Sequence, residues 1–122
     1  MDRERRRAAG AFYTPAPLAA ALVEAALGRM SPGTGEARVV DPACGEGALL
    51  VAACERMFRG AGGRRDRAEI VRRSIFGVDV DPEAVRRARR ALAEVAGIEE
   101  DALADNVRCG DALLGEDAPA EL

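Results

Sequence analysis

The sequence predicts an α/β fold built on a parallel sheet. Three short apolar runs, Ala37–Val40, Ile75–Val80 and Asn106–Cys109, each end at an acidic residue or an acidic turn. Helical patterns separate them, and strands alternating with helices give a parallel sheet covered by those helices. A length of 122 residues suits one small domain or a part of a larger one. Of its 59 hydrophobic residues 26 are Ala and few are aromatic, so burial per residue is low and the core is thin.

Taken in order, the first helix is expected to begin at Pro15 or Pro17, with Thr14 as N-cap and Leu18, Leu22, Val23 and Ala26 as its apolar stripe. Gly28 and Ser31-Pro32-Gly33 end it. A second helix opens at a glycine-rich turn after the first strand, presents Leu50, Ala53 and Met57 on one face and stops at Gly60. Arg59–Arg67 reads as a mobile surface loop, followed by a short amphipathic stretch, Ala68–Arg73. In the third helix Asp81 is the cap, Pro82 takes the first helical position and Glu83 complements the dipole. Val85, Ala88, Leu92 and Val95 follow at core spacing, Gly97 closes the helix, and Arg86, Arg87, Arg89 and Arg90 take its outer faces. There is no internal repeat; residues 1–36 read as an N-terminal segment and helix, and 37–122 as the sheet domain.

Missing residue types exclude much chemistry. With no His there is no Ser-His-Asp or Cys-His nucleophile pair and no histidine metal ligand. With no Lys there is no G-x-x-x-x-G-K-[ST] phosphate loop and no Schiff base. A net charge of −3 argues against a cationic nucleic-acid binder as a whole. Charge is segregated: four Arg lie in residues 3–7, six in 59–73 and four in 86–90, whereas Glu99–Leu122 is acidic. These Arg clusters read first as solvated faces and second as DNA contacts. Cys44, Cys54 and Cys109 form no C-x-x-C pair and are odd in number, which suits a reduced, cytoplasmic protein better than zinc or disulfides. No apolar run approaches the ~20 residues of a membrane helix, and Ala8–Ala11 is no signal-peptide core.

The most informative segment is Val39-Val40-Asp41-Pro42-Ala43-Cys44-Gly45-Glu46-Gly47-Ala48. A buried strand runs into a tight glycine turn that opens a helix, so backbone can approach a ligand near a helix N-terminus. G-x-G-x-x-G is not satisfied, because Leu50 stands where its third Gly belongs. Asp41 before the turn would repel a pyrophosphate and attract a cation; a cationic ligand with ribose hydroxyls and an amino-acid moiety is S-adenosylmethionine. Asp79, at the end of the second strand, can accept from both ribose hydroxyls, and Asp81 competes for that role but is better explained as the helix cap. Asp111, past the third strand, can accept from an adenine amino group, although Gly-Asp is also ordinary turn chemistry. All three carboxylates fall at carboxyl ends of parallel strands, the edge where open α/β sheets bind ligands. Cys44 has no base near it in sequence and reads as a small packing residue of the loop.

These residues resemble the adenine-specific, S-adenosylmethionine-dependent DNA methyltransferases of restriction-modification systems. Gly10-Ala11-Phe12-Tyr13-Thr14-Pro15 is similar to the family's N-terminal cofactor motif, and Asp41-Pro42-Ala43-Cys44-Gly45-Glu46-Gly47 to its first Rossmann motif, with Glu46 where Ser or Thr is more usual. Gly77-Val78-Asp79-Val80-Asp81-Pro82 resembles the ribose-binding motif, and Gly110-Asp111-Ala112-Leu113 the adenine-contacting motif. The four stand in the family's order and span nearly the whole chain. The resemblance implies a Rossmann-like fold of methyltransferase class I, incomplete at about three strands. It implies that Thr14 and Pro15, with Tyr13 beside them, frame the methionine end. Asp41, Ala43, Cys44, Gly45 and Gly47 would then form the loop around methionine and sulfonium, Asp79 hold the ribose, Val80 pack on adenine, and Asp111 with Ala112 mark the adenine pocket. Tyr13 reads equally well as a core aromatic.

The family's catalytic motif, Asn or Asp followed by Pro-Pro and an aromatic residue, does not occur in this chain; its single Asn, Asn106, precedes Val. In the family that motif follows a fourth strand. There it binds the target amino group and stacks on a flipped adenine so that the amine can attack the methyl. The resemblance therefore implies the cofactor half of a methyltransferase, inactive alone, with DNA engaged through parts outside this chain. Two alternatives stay open: a non-catalytic or split subunit completed by a second polypeptide, and part of an RNA or protein-glutamine methyltransferase.

Overall fold

The computed structural model describes residues 14–28, 38–59 and 64–111. Its elements are α1 (Ala16–Leu27), β1 (Val39–Asp41), α2 (Ala48–Phe58), α3 (Arg64–Ser74), β2 (Ile75–Asp79), α4 (Pro82–Ala96), a short 3₁₀ helix (Glu100–Leu103) and β3 (Val107–Cys109). The strands form one parallel sheet in the order β1-β2-β3, with Val39 opposite Ile75 and Asp79 opposite Cys109. This is the incomplete Rossmann-like α/β arrangement that the sequence predicts. The strand ends differ from expectation: β1 leaves out Arg38 and takes in Asp41, Val80 already bends away from β2, and Asn106 belongs to the turn before β3, while Ala37 lies outside the described residues.

Alternate residues of a strand share a face. Ile75, its register neighbour Val39 and Val107, which stands opposite Gly77, share one core with Leu50, Ala53 and Cys54 of α2, Ile70 and Val71 of α3, and Val85, Ala88 and Leu92 of α4. Leu50, Val71, Ile75, Leu92, Leu103 and Val107 are fully buried. The many alanines let these helices approach the sheet closely, so a thin set of large side chains suffices for one continuous core.

α4 forms as its sequence dictates. Asp81 Oδ1 accepts from the Glu83 N–H at 3.0 Å, Pro82 stands in the first turn, and Gly97 ends the helix in the left-handed region with its N–H on Ala93 O. Val85, Ala88 and Leu92 are buried and Val95 is half-buried. Arg89 departs from the expected outer face. Its Nε donates to Val107 O at 2.8 Å and its Nη2 to Ala104 O at 3.2 Å, which ties α4 to β3.

α1 is turned away from the expected stripe. Ala19 and Val23 are buried, whereas Leu18 and Leu22 are 51% and 49% exposed and Ala26 is exposed as well. The small Ala19 permits close approach to α2, and an ion pair fixes the rotation. The buried Arg56 of α2 places Nε 3.1 Å from Glu24 Oε2 and donates through Nη2 to Leu27 O at 3.5 Å. Thr14 is not the cap. Pro15 occupies that position in extended backbone with no side-chain hydrogen bond, and Pro17 removes one of the N–H groups a cap would serve.

The expected surface loop through Arg67 is overturned in its second half, because α3 already begins at Arg64; residues 60–63, Gly60 among them, lie outside the described residues. Burial of Ile70 and Val71 and the Glu69–Arg73 ion pair one turn apart (3.2 Å) favour the longer helix. α3 runs directly into β2, so its last carbonyls have no next turn to serve. Buried Asn106 meets that need: its Nδ2 donates to Val71 O, Arg72 O and Ile75 O at 3.2, 2.9 and 2.9 Å.

Candidate functional site

The site is built at the carboxyl ends of β1 and β2. After Asp41 the chain turns through Pro42–Gly47 into α2, and the turn is stitched by Cys44 N on Val78 O and Gly47 N on Cys44 O, both at 2.9 Å. Asp79 holds it from the sheet. Its Oδ2 accepts from the Gly45 N–H at 2.8 Å, and its Oδ1 accepts from the Asp81 N–H at 2.9 Å. Asp41 Oδ1 accepts from the Ala43 N–H at 3.1 Å. Beyond β3, Gly110 N donates to Asp79 O at 3.0 Å, so half-buried Asp111 follows directly at the same edge.

Of the expected site residues, Asp41, Ala43, Cys44, Gly45, Gly47, Asp79, Val80 and Asp111 are thus gathered at one sheet edge. Val80, a large apolar side chain, is 55% exposed beside Asp79. Tyr13 and Ala112 lie outside the described residues. Thr14 and Pro15 stand at the start of α1, and α1 reaches the loop's helix farther along, through Glu24 and Leu27. Asp81 is buried and serves as the cap of α4.

Close packing shapes the loop. A Cβ on Gly77 would lie 2.7 Å from Leu50 Cδ1 and 2.9 Å from Cys44 Cβ, so the loop rests directly on the middle of β2. Gly47 has φ +89° and its missing Cβ would meet Ala88 Cβ at 3.0 Å, which seats the start of α2 on α4. For a non-glycine residue the left-handed backbone alone costs about 1–2 kcal/mol. Gly77→Ala is expected to destabilise the fold by roughly 1–3 kcal/mol, because Leu50 can swing but Cys44 Cβ moves only with the loop. Thermal melting checks the size, and faster amide exchange at Cys44 and Gly45 than at Leu92 would locate the damage in the loop.

Partial burial pushes the Asp41 carboxyl above its ordinary value of 3.8; the Ala43 N–H opposes this and the Asp79 charge adds to it. Cys44 is buried over Gly77, its Sγ 3.7 Å from Gly45 O, as a packing residue would be. Burial pushes the Cys54 thiol up to about 12, with the Glu55 charge adding to it, so Cys54 is inert at neutral pH.

Sequence reasoning missed a contact at the loop tip. Arg87 Nη1 donates to Glu46 Oε1 at 2.8 Å, and Nη2 donates to Glu83 Oε1 at 3.1 Å. The hydrogen bond to Glu46 and the Glu83 charge hold Arg87 more firmly protonated than usual. Glu83 and Arg87 stand one turn apart on a helix and are legible as a pair; Glu46 is distant in sequence, and nothing local announces it.

Among the described residues no cluster of His, Cys, Asp and Glu could hold a metal ion, and no helix is long and apolar enough to cross a membrane. The edge instead combines a glycine turn in which Ala43 is exposed, Gly45 half-buried and Gly47 buried, the carboxylates of Asp41, Asp79 and Asp111, and the exposed Val80. The N-6 DNA methylase family model matches residues 2–121, nearly the whole chain, and the chain belongs to that family.

Proposed function

We propose that this chain is the cofactor-binding part of a DNA adenine methyltransferase and holds S-adenosylmethionine at the carboxyl edge of its sheet. The observation that carries the reading is the state of Asp79. Each of its carboxylate oxygens accepts one backbone N–H, from Gly45 and from Asp81. Each oxygen keeps a second lone pair, so ribose hydroxyls can be received without releasing the loop.

The remaining donor set fits the same ligand. Ionised Asp41 favours a nearby cation, exposed Ala43 and half-buried Gly45 leave part of the turn before α2 open to a ligand, and exposed Val80 offers a surface for adenine. Asp111 and Ala112 are proposed for the adenine amino group, and Tyr13, Thr14 and Pro15 for the methionine end. When bound, the cofactor supplies an electrophilic methyl group on a sulfonium centre. The chain's own contribution is to bind and orient it. No residue here is proposed to act on the target adenine, since the sequence holds no Asn or Asp followed by Pro-Pro and an aromatic residue. DNA is the proposed substrate of the whole enzyme.

Calorimetric titration of the chain with S-adenosylmethionine and with S-adenosylhomocysteine tests the reading. Saturable one-site binding of both, with no binding of NAD, is expected. Absence of heat and of thermal stabilisation with both sulfur ligands would overturn it.

A further inference from the structure

We propose that the Glu46–Arg87 ion pair is a latch that positions the glycine loop for the cofactor, with both side chains acting as positioning residues and neither as a ligand. The inference rests on the cofactor reading above and adds to it what sets affinity at that edge.

The loop is supported from two sides. From the sheet, Asp79 accepts the Gly45 N–H. From α4, two consecutive residues reach it: Ala88 lies against Gly47, and Arg87 bonds Glu46. Glu46 stands between Gly45 and Gly47, both at positive φ (+54° and +89°) and both held through their backbone N–H groups, and Arg87 adds a hold on the side chain between them. Such a hold is an external tether on the tip.

Arg87 is suited to be that tether. Glu83, one turn earlier on α4, takes its second guanidinium nitrogen at 3.1 Å and so pre-sets the direction of the group. α4 in turn is fixed at its start by buried Asp81, whose N–H is held by Asp79. Gly45, Asp79, Asp81, α4, Arg87 and Glu46 therefore form a closed circuit of contacts around the loop. Within it Asp79 and Arg87 grip adjacent loop residues from opposite sides.

Charge supports the same assignment. Glu46 without its partner would add a fourth negative side chain to the edge that carries Asp41, Asp79 and Asp111, and would repel the ligand's own carboxylate. Arg87 offsets that charge locally and leaves Asp41 and Asp79 for the cation and the ribose. Both partners are partly exposed, so salt screens the pair.

The test compares the chain with Glu46→Gln, Arg87→Gln and Arg87→Lys. Two readouts are used: S-adenosylhomocysteine affinity by calorimetry at low and high sodium chloride, and ligand-free amide exchange at residues 43–48. The two Gln variants are expected to exchange faster at residues 43–48 only, with unchanged melting temperature, and to bind about two- to fivefold more weakly at low salt. The unsubstituted chain should fall toward their affinity at ~1 M salt, where the screening length is ~3 Å. Arg87→Lys, which keeps the charge, should recover most of the affinity and the loop protection. Unchanged loop exchange in the Gln variants would overturn the latch, as would affinity losses that merely track melting temperature. If the unsubstituted chain binds no S-adenosylhomocysteine while the Gln variants still loosen the loop, the cofactor reading falls and the loop-positioning role of the pair stands.

Discussion

Asp79→Ala is expected to weaken S-adenosylhomocysteine binding by roughly a hundredfold, since hydrogen bonds to a charged group contribute about 1.5–3 kcal/mol each and two ribose hydroxyls are at stake. Two effects combine. The carboxylate that would receive the ribose is lost, and the Gly45 and Asp81 N–H groups lose the acceptor that holds loop and helix together. The second loss is also one of stability, about 1–3 kcal/mol for each part-buried donor left unmatched. Asp79→Asn separates the two. Its amide keeps one oxygen for a backbone N–H but turns a donor toward the other, so affinity should fall between the parent and the Ala variant. Calorimetry with melting curves reads both quantities. Affinity unchanged in Asp79→Ala would remove Asp79 from the ribose role.

Asp41→Asn is expected to stabilise the ligand-free chain at neutral pH and at the same time to weaken S-adenosylmethionine. Burial raises the folded-state pKa of Asp41 above its ordinary value, with Asp79 adding to the effect. A raised carboxyl contributes stability that is fully present below the unfolded value of 3.8 and is lost as pH rises through the folded one. Near pH 7 the ionised group is therefore a net burden on the fold, and an amide of the same shape removes it. The proposed sulfonium cation offsets that burden when it binds. S-adenosylmethionine affinity should fall by about tenfold in the variant, the loss of about 1.4 kcal/mol of attraction between opposite charges, and that of uncharged-sulfur S-adenosylhomocysteine far less. In the parent chain S-adenosylmethionine affinity should also drop as pH is lowered through the raised Asp41 value. A variant that melts lower than the parent and binds both ligands equally well would contradict the assignment.

The element types and the sheet edge were legible because their signals are local. Asp81-Pro82-Glu83 with Gly97 marks a helix at both ends, and apolar runs ending in Asp mark parallel strands. Of the stripe expected on α1 Val23 is buried, whereas its two leucines, which promise more buried area than Ala19, are half-exposed. What turned the helix was the Glu24–Arg56 pair, across 32 positions of chain, together with the close approach that Ala allows. α3 was begun too late because Arg-rich sequence looks like loop until the burial of Ile70 and Val71 is known. At the site, Asp41, Asp79 and Asp111 were visible from position alone. Arg87 and Ala88 were not, because their partners Glu46 and Gly47 belong to another element and the α4 pattern explains both residues without them.

Asn106 couples the third strand to the junction between α3 and β2. One side-chain amide satisfies the end of α3 and the first residue of β2, yet it is delivered by the turn that leads into β3. Until β3 docks, the junction between α3 and β2 is left with buried carbonyls short of donors. Opening of the third strand is therefore expected to loosen the helix–strand junction as well, which faster amide exchange at both would show. Asp79, at the far end of β2, and Gly110, just past β3, inherit that coupling through their own backbone bond.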